Sequence, residues 1–307
     1  MDYRRANRAY LYTVLCTLAF TVLYTIWVLR GGKELSVAMN NVISEALCLL
    51  PVLAVVLYSG DRLGVVIPLR KIRISSALMT LLYTILLYPL VTFINSLSML
   101  FVDNTVLEMS DQILAMPLWE MLFFIGLFGP FVEEIVFRGV FLQSYQRSGR
   151  IIASIILSSL LFGMAHMNFN QLAYGAVMGA AFALLVEATG SVLTSFISHM
   201  AFNSFEVLLL YAQSDVLDES KSLLESGAFK DNILMSTGIL FIFAMIGTAI
   251  ALCVVYKISD IEGRKAFFAS IPKCKKQGYK LITVPLVIGV TIVVIFMVGT
   301  EVILSLT

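Results

Sequence analysis

The sequence predicts an all-α protein, a polytopic transmembrane helical bundle of about eight to nine spans. Three observations predict it. Of the 307 residues, 59% are hydrophobic and only 13% are charged, against about 25% charged in a soluble domain. Apolar runs near the roughly 20 residues that a membrane helix needs recur along the whole chain. The segments between them alternate in charge. The net charge of +1 gives no basis for a nucleic-acid partner, and the lipid bilayer is the expected surrounding.

Nine spans are expected at about 10–29, 37–58, 75–100, 117–144, 151–166, 171–188, 191–211, 233–256 and 281–305. Together they make a single membrane domain over 1–307, with the chemistry-bearing residues in a core at 117–211 and flanking helices at 10–100 and 233–305. The first span follows Arg4, Arg5 and Arg8. It is longer than a signal-peptide core and no small-x-small cleavage site follows it, so it reads as a retained helix. Pro89, Pro130 and Pro285 fall in or near spans, where they are tolerated as kinks. Gly175 and Gly179 form a small-xxx-small face that allows close helix approach. Cys16, Cys48 and Cys253 lie in apolar spans and Cys274 in a Lys-rich loop, and their spacing reads as free thiols.

Basic loops carry Arg62, Arg70, Lys71 and Arg73, then Arg147 and Arg150, then Lys257, Arg264, Lys265, Lys273, Lys275, Lys276 and Lys280. The opposite loops carry Asp103, Glu108 and Asp111, then Asp215, Asp218, Glu219 and Glu225. The positive-inside rule puts the basic set and the N-terminus in the cytoplasm. Arg30 and Lys33, in the first outer loop, run against it.

The candidate site residues are the ionisable groups inside apolar spans, which are expensive there and functional by default. Glu133, Glu134 and Arg138 sit in the fourth span. The only two histidines, His166 and His199, fall in the fifth and seventh. Phe162 and His166 share a helix face, as do His199 and Asn203, and Glu134 and Arg138 have the spacing of an ion pair. Counted from the expected cytoplasmic ends, Glu133 lies ~16 Å deep, His166 ~22 Å, His199 ~12 Å and Asn203 ~18 Å, a single layer within boundary error. Glu134 is then expected to neutralise Arg138. Glu133 remains as a general base on water, with His166 holding the same water. His199 and Asn203 could donate to a developing oxyanion. Glu133, His166 and His199 also make a candidate zinc set, since catalytic zinc takes three protein ligands. Metal-free water activation is equally compatible. Glu45 could line a cavity. Glu187 and Glu301 read as interfacial, Glu206 as structural, and Asn168 and Asn170 as turn residues.

These residues resemble a known family. Glu133-Glu134-x-x-x-Arg138, Phe162-x-x-x-His166 and His199-x-x-x-Asn203 are similar, in order and spacing, to the three motifs of the CPBP family. That family comprises the CAAX proteases and bacteriocin-processing (Abi) enzymes. The resemblance implies an intramembrane endopeptidase, a hydrolase acting on a membrane-associated, prenylated or leader-peptide substrate, most simply in a bacterial cell membrane. Members are commonly described as metalloproteases. A structural view of the prenyl-protein branch instead has a glutamate and a histidine activate water, which here implies Glu133 and His166, with His199 and Asn203 at the oxyanion. That branch has eight core helices, so the ninth span is a departure. The alternatives are a non-catalytic bacteriocin immunity or scaffold protein on the same fold, and a proton-coupled transporter.

Overall fold

The computed structural model describes residues 1–214, 228–273 and 280–304. The acidic residues Asp215, Asp218, Glu219 and Glu225, the lysines at 275 and 276, and Cys274 lie outside the described residues. All regular elements among the described residues are helical.

Among the described residues, seven helices are long and apolar enough to cross a membrane. They are α1 (Tyr3–Leu29), α2 (Val37–Tyr58), α3 (Ile74–Ser98), α6 (Phe169–Thr189), α7 (Val192–Ala212), α8 (Thr237–Ile261) and α9 (Val284–Ile303). Between α3 and α6 come the fourth and fifth apolar stretches, which behave differently. The fifth, α5 (Ile151–Ala165), has 15 residues. That is ~22 Å of helix against a hydrocarbon core of ~30 Å, so α5 stops inside the bundle. The fourth, α4 (118–146), is helical throughout but is not one α-helix. Two π-helical stretches, Leu122–Phe128 and Ile135–Phe141, interrupt it. Such bulges concentrate at functional sites.

Helix starts follow local chemistry. Asp2, Ser36, Asn168 and Ser191 cap α1, α2, α6 and α7 by accepting a backbone N–H of the first turn, as short polar N-caps do. Gly190 ends α6 in the left-handed conformation, φ 71°, which glycine adopts without steric cost.

The elements join at one end of the bundle. Asn7 of α1 donates to the Leu281 carbonyl at 2.8 Å and accepts from the Tyr145 hydroxyl at 2.8 Å. The Met1 ammonium and Arg147 both reach Asp61. Arg264 donates to the Glu187 carbonyl, and the Arg73 N–H to Glu262. The basic segments after α2, α4 and α8 therefore share that end with the start of α1, and α9 leads away from it. Glu187 itself is buried at that end and hydrogen-bonded to Gln146.

Close packing surrounds α6. A Cβ on Gly179 would come within 2.9 Å of the Ser159 Cα, and one on Gly175 within 3.3 Å of the Gly163 Cα. The glycine face thus lies against α5, which brings the end of α5 into the interior. By contrast α8 turns Ile239, Phe241, Ile242, Phe243, Met245 and Ile246 outward, the apolar exterior a bilayer requires.

Candidate active site

The site is assembled where α4, the α5–α6 turn and α7 meet. Glu133 and Glu134 end the central α segment of α4, and both carboxylates face the His199 ring. The Nδ1 of His199 donates to Glu134 Oε1 at 3.0 Å, and its Nε2 lies 3.5 Å from Glu133 Oε2. The other oxygen of Glu133 lies 3.8 Å from His166 Nε2. Glu133 thus sits between two imidazoles.

The orientation of each ring is fixed from behind. The Nδ1 of His166 lies 3.1 Å from the Phe162 carbonyl, which can only accept, so Nδ1 carries the proton. In the neutral ring Nε2 then presents its lone pair toward Glu133. His166 closes α5, and the next residue, Met167, has φ 56°, a region non-glycine residues seldom occupy. Asn168 holds that turn. Its amide donates to the His166 carbonyl at 2.9 Å while its oxygen caps α6. Non-helical backbone at membrane depth is tolerated only inside protein or beside a water-filled cavity.

Glu134 has more than one partner. Its Oε1 is 3.0 Å from Arg138 Nη1 as well as from His199 Nδ1. Glu134 and Arg138 side chains are each 1% exposed. The Arg138 guanidinium lies 4.2 Å from the Phe162 ring centroid and 5.1 Å from that of Phe182. Phe182 also stacks on His199 at 4.7 Å. With His199 protonated, two carboxylates and two cations sum to zero, an arrangement that a low-dielectric interior tolerates far better than a net charge. Spacing alone suggests the Glu134–Arg138 pair. The His199 link and the Phe182 platform have no sequence signal, because both come from helices distant in the chain.

Asn203 lies one turn beyond His199 and donates to the Ile125 carbonyl at 3.1 Å. The reason is local. In the first π stretch the Gly129 N–H reaches back five residues to the Phe124 carbonyl. The next such bond would join Ile125 to residue 130, a proline with no N–H. Asn203 supplies the missing donor. Pro130 was readable as a kink; the carbonyl it frees was the signal for Asn203. Among the described residues no bond joins Asn203 to Glu133 or His166.

Of the remaining sequence candidates, Glu45 lies near enough to Glu133 for their charges to interact, while Asn170 is placed elsewhere. Glu45 is buried with one oxygen unpartnered, packed at Gly129 beside Asn41. Asn170 crosses to α3, donating to Asn95 and Ser98. Glu133, His166 and His199 are donor types that zinc takes. Among the described residues, no three His, Cys, Asp or Glu side chains are gathered so as to hold a metal ion.

Comparison with known proteins bears on this same stretch. Residues 115–205 match the family model described as type II CAAX prenyl endopeptidase Rce1-like. This matched segment makes up under a third of the chain. It contains Glu133, Glu134, Arg138, Phe162, His166, His199 and Asn203. Two curated relatives align with part of the chain. YdiL of Bacillus subtilis (strain 168), whose name describes it provisionally as a membrane peptidase, is 32% identical over 100 residues, which is 32% of this chain and 40% of YdiL. The membrane-embedded CAAX protease MroQ of Staphylococcus aureus (strain USA300) is 33% identical over 105 residues, 32% of this chain and 42% of MroQ. The chain thus spans about two fifths of the length of each. No solved structure shows a significant match. At family level the match is to CAAX-type membrane peptidases.

Proposed function

We propose that the chain is an intramembrane endopeptidase that hydrolyses a peptide bond of a membrane-associated substrate, with Glu133 and His166 activating the water. The observation that carries this reading is the setting of Glu133. It faces the Nε2 atoms of two imidazoles whose Nδ1 atoms are both committed to fixed acceptors.

The 3.8 Å gap between Glu133 Oε1 and His166 Nε2 is the kind of separation that a bridging water closes. A water there donates one hydrogen to each, leaving an oxygen lone pair free to attack. Glu133 takes a proton as the oxygen bonds to the substrate carbonyl carbon. The tetrahedral oxyanion forms, the C–N bond breaks, and Glu133 returns the proton to the departing nitrogen. For His199 to serve the oxyanion it must be the imidazolium, since Nδ1 already donates to Glu134. In that form Nε2–H is left to donate. Asn203 keeps a second N–H beyond the one given to Ile125. Donors of this kind, preset in a water-poor site, commonly supply the largest catalytic contribution.

Glu133, His166 and His199 would be the ligands if zinc were bound, and no step above is routed through a metal. Metal analysis of the purified protein separates the two chemistries. Orientation with the basic end in the cytoplasm follows from the positive-inside rule, and the bacterial relatives favour a bacterial cell membrane.

The test compares membrane and secreted peptides from cells carrying wild type or Glu133→Gln. The variant is expected to insert normally and to lose processing by at least about 10²-fold, the scale of general-base catalysis. Processing at the wild-type rate overturns the assignment. A phenotype that survives both Glu133→Gln and His166→Ala points instead to a scaffold or immunity role.

A further inference from the structure

A cavity of about 280 Å³ opens beside His166, and most of its wall comes from helices outside the matched segment. Apart from His166, its polar lining comes from α1 and α2, chiefly Tyr10, Thr13, Thr17 and Thr21, with Asn40 and Ser44. Phe137, Phe141, Val293 and Phe296 contribute apolar surface. None of the lining residues is Asp, Glu, Lys or Arg. Tyr10 is 2% exposed, and its hydroxyl and that of Thr13 are buried without a hydrogen-bond partner. A buried hydroxyl left unpaired costs free energy, so these two await something.

The spacing indicates what. Thr13, Thr17 and Thr21 recur every four residues, about 6.0 Å along a helix. Two residues of an extended peptide advance about 6.6–6.8 Å. One face of an extended chain therefore meets successive threonine hydroxyls at nearly matched intervals, with Thr21 left to accept only, since its hydroxyl donates to the Thr17 carbonyl at 3.0 Å. An extended peptide inside a membrane has no other partners for its N–H and C=O groups. We infer that α1, with α2 and α9, forms a cleft holding an uncharged, extended segment of the substrate, its backbone read by Thr13, Thr17 and Thr21 and its scissile end directed to His166. This deepens, and rests on, the peptidase reading, and it places substrate selection outside the matched domain.

The test uses the full chain in nanodiscs, in a Glu133→Gln background, with photoreactive benzoylphenylalanine replacing Phe20. The probes are end-blocked, biotinylated apolar hexapeptides, the same peptides with a central Asp or Lys, and versions N-methylated at alternate amides. The uncharged peptides should cross-link. A central charge or N-methylation should lower capture about tenfold, and Thr13→Val/Thr17→Val/Thr21→Val about three- to tenfold, the scale of one or two hydrogen bonds. Serine at the same three positions should restore capture, which a packing defect would not allow. Absent capture, equal capture of charged and uncharged peptides, or indifference to the triple variant overturns the cleft. The two readings fail separately. Captured peptides that Glu133-containing protein never hydrolyses would sink the peptidase and keep the cleft. Hydrolysis with KM unchanged by the triple valine variant would sink the cleft and keep the peptidase.

Discussion

Helices α1 and α6 are similarly apolar, yet they meet different surroundings. In the most hydrophobic window of α6, 61% of residues are buried within the protein, against 6% for α1. What separates them is side-chain size and not oiliness. On α6, Gly175 and Gly179 let α5 approach to backbone contact, and this closeness carries His166 to Glu133. On α1, Leu15, Val22, Leu23, Ile26 and Trp27 are exposed, burial is confined to Ala6, Asn7, Ala9, Tyr10 and Val14, and Thr13, Thr17 and Thr21 face the cavity. Helix association in a bilayer gains nothing from the hydrophobic effect and depends on such packing and polar contacts. Apolar residues facing lipid are interchangeable in a way that residues around the site are not.

The sharpest way to break the comparison is to remove one charge from the α4 cluster. Arg138→Leu leaves Glu134 buried with only His199 to balance it. Breaking a buried ion pair typically costs about 3–5 kcal/mol, so little folded protein is expected in detergent melting or denaturant titration. Glu134→Gln/Arg138→Met removes both charges and should recover much of that loss. A benign Arg138→Leu would show that the cluster is hydrated and not a dry ion pair.

Glycines give the next contrast. At Gly179 an added Cβ meets the Ser159 Cα at 2.9 Å and Arg138 Nη2 at 3.2 Å, whereas at Gly299 in α9 nothing lies within 4 Å. Gly179→Ala should destabilise by about 1–3 kcal/mol, the cost of overpacking. Gly299→Ala should be neutral or should stabilise by up to about 0.8–1 kcal/mol through helix propensity. Melting the two variants side by side reads the difference directly. Equal effects would mean that α5 and α6 do not meet as closely as the structure places them.

Much of the fold was legible in the sequence, because hydropathy marks apolar length and charge alternation marks loop sides. The polytopic helical bundle follows from those alone. Two stretches deviate for reasons a hydropathy pattern does not contain. The span expected at 151–166 is an apolar helix too short to cross, since Asn168 and the left-handed Met167 turn the chain back at depth. The span expected at 117–144 changes helical register twice, and Pro130 is the one residue in the sequence that hints at it. For the site, motif spacing pointed to Glu133, His166, His199 and Asn203, and the structure brings the first three within 3.8 Å contacts. Spacing within one helix could not show that Glu134 also orients His199. Nor could it show that Phe182 supports both His199 and Arg138, or that α1 walls the cavity beside His166. Those relations join helices far apart in sequence, and only packing decides them.

The π stretch offers a finer discrimination between the segmented α4 and the regular helices around it. Asn203→Leu removes the only donor to the Ile125 carbonyl among the described residues and should cost about 1–3 kcal/mol, the penalty of an unsatisfied buried acceptor. Pro130→Ala returns an N–H five residues beyond Ile125, which can continue the π pattern and take that carbonyl. On its own, Pro130→Ala should therefore change stability little, while freeing the Asn203 amide. In combination it should rescue most of the stability lost by Asn203→Leu, a non-additivity of about 1 kcal/mol or more of the kind that neighbouring sites show. Rescue of stability without rescue of peptide processing would separate the bond of Asn203 to the backbone of α4 from the role proposed for it at the reacting carbonyl. Strict additivity would mean that the bond to Ile125 holds nothing in place, and the register of α4 would then need another cause.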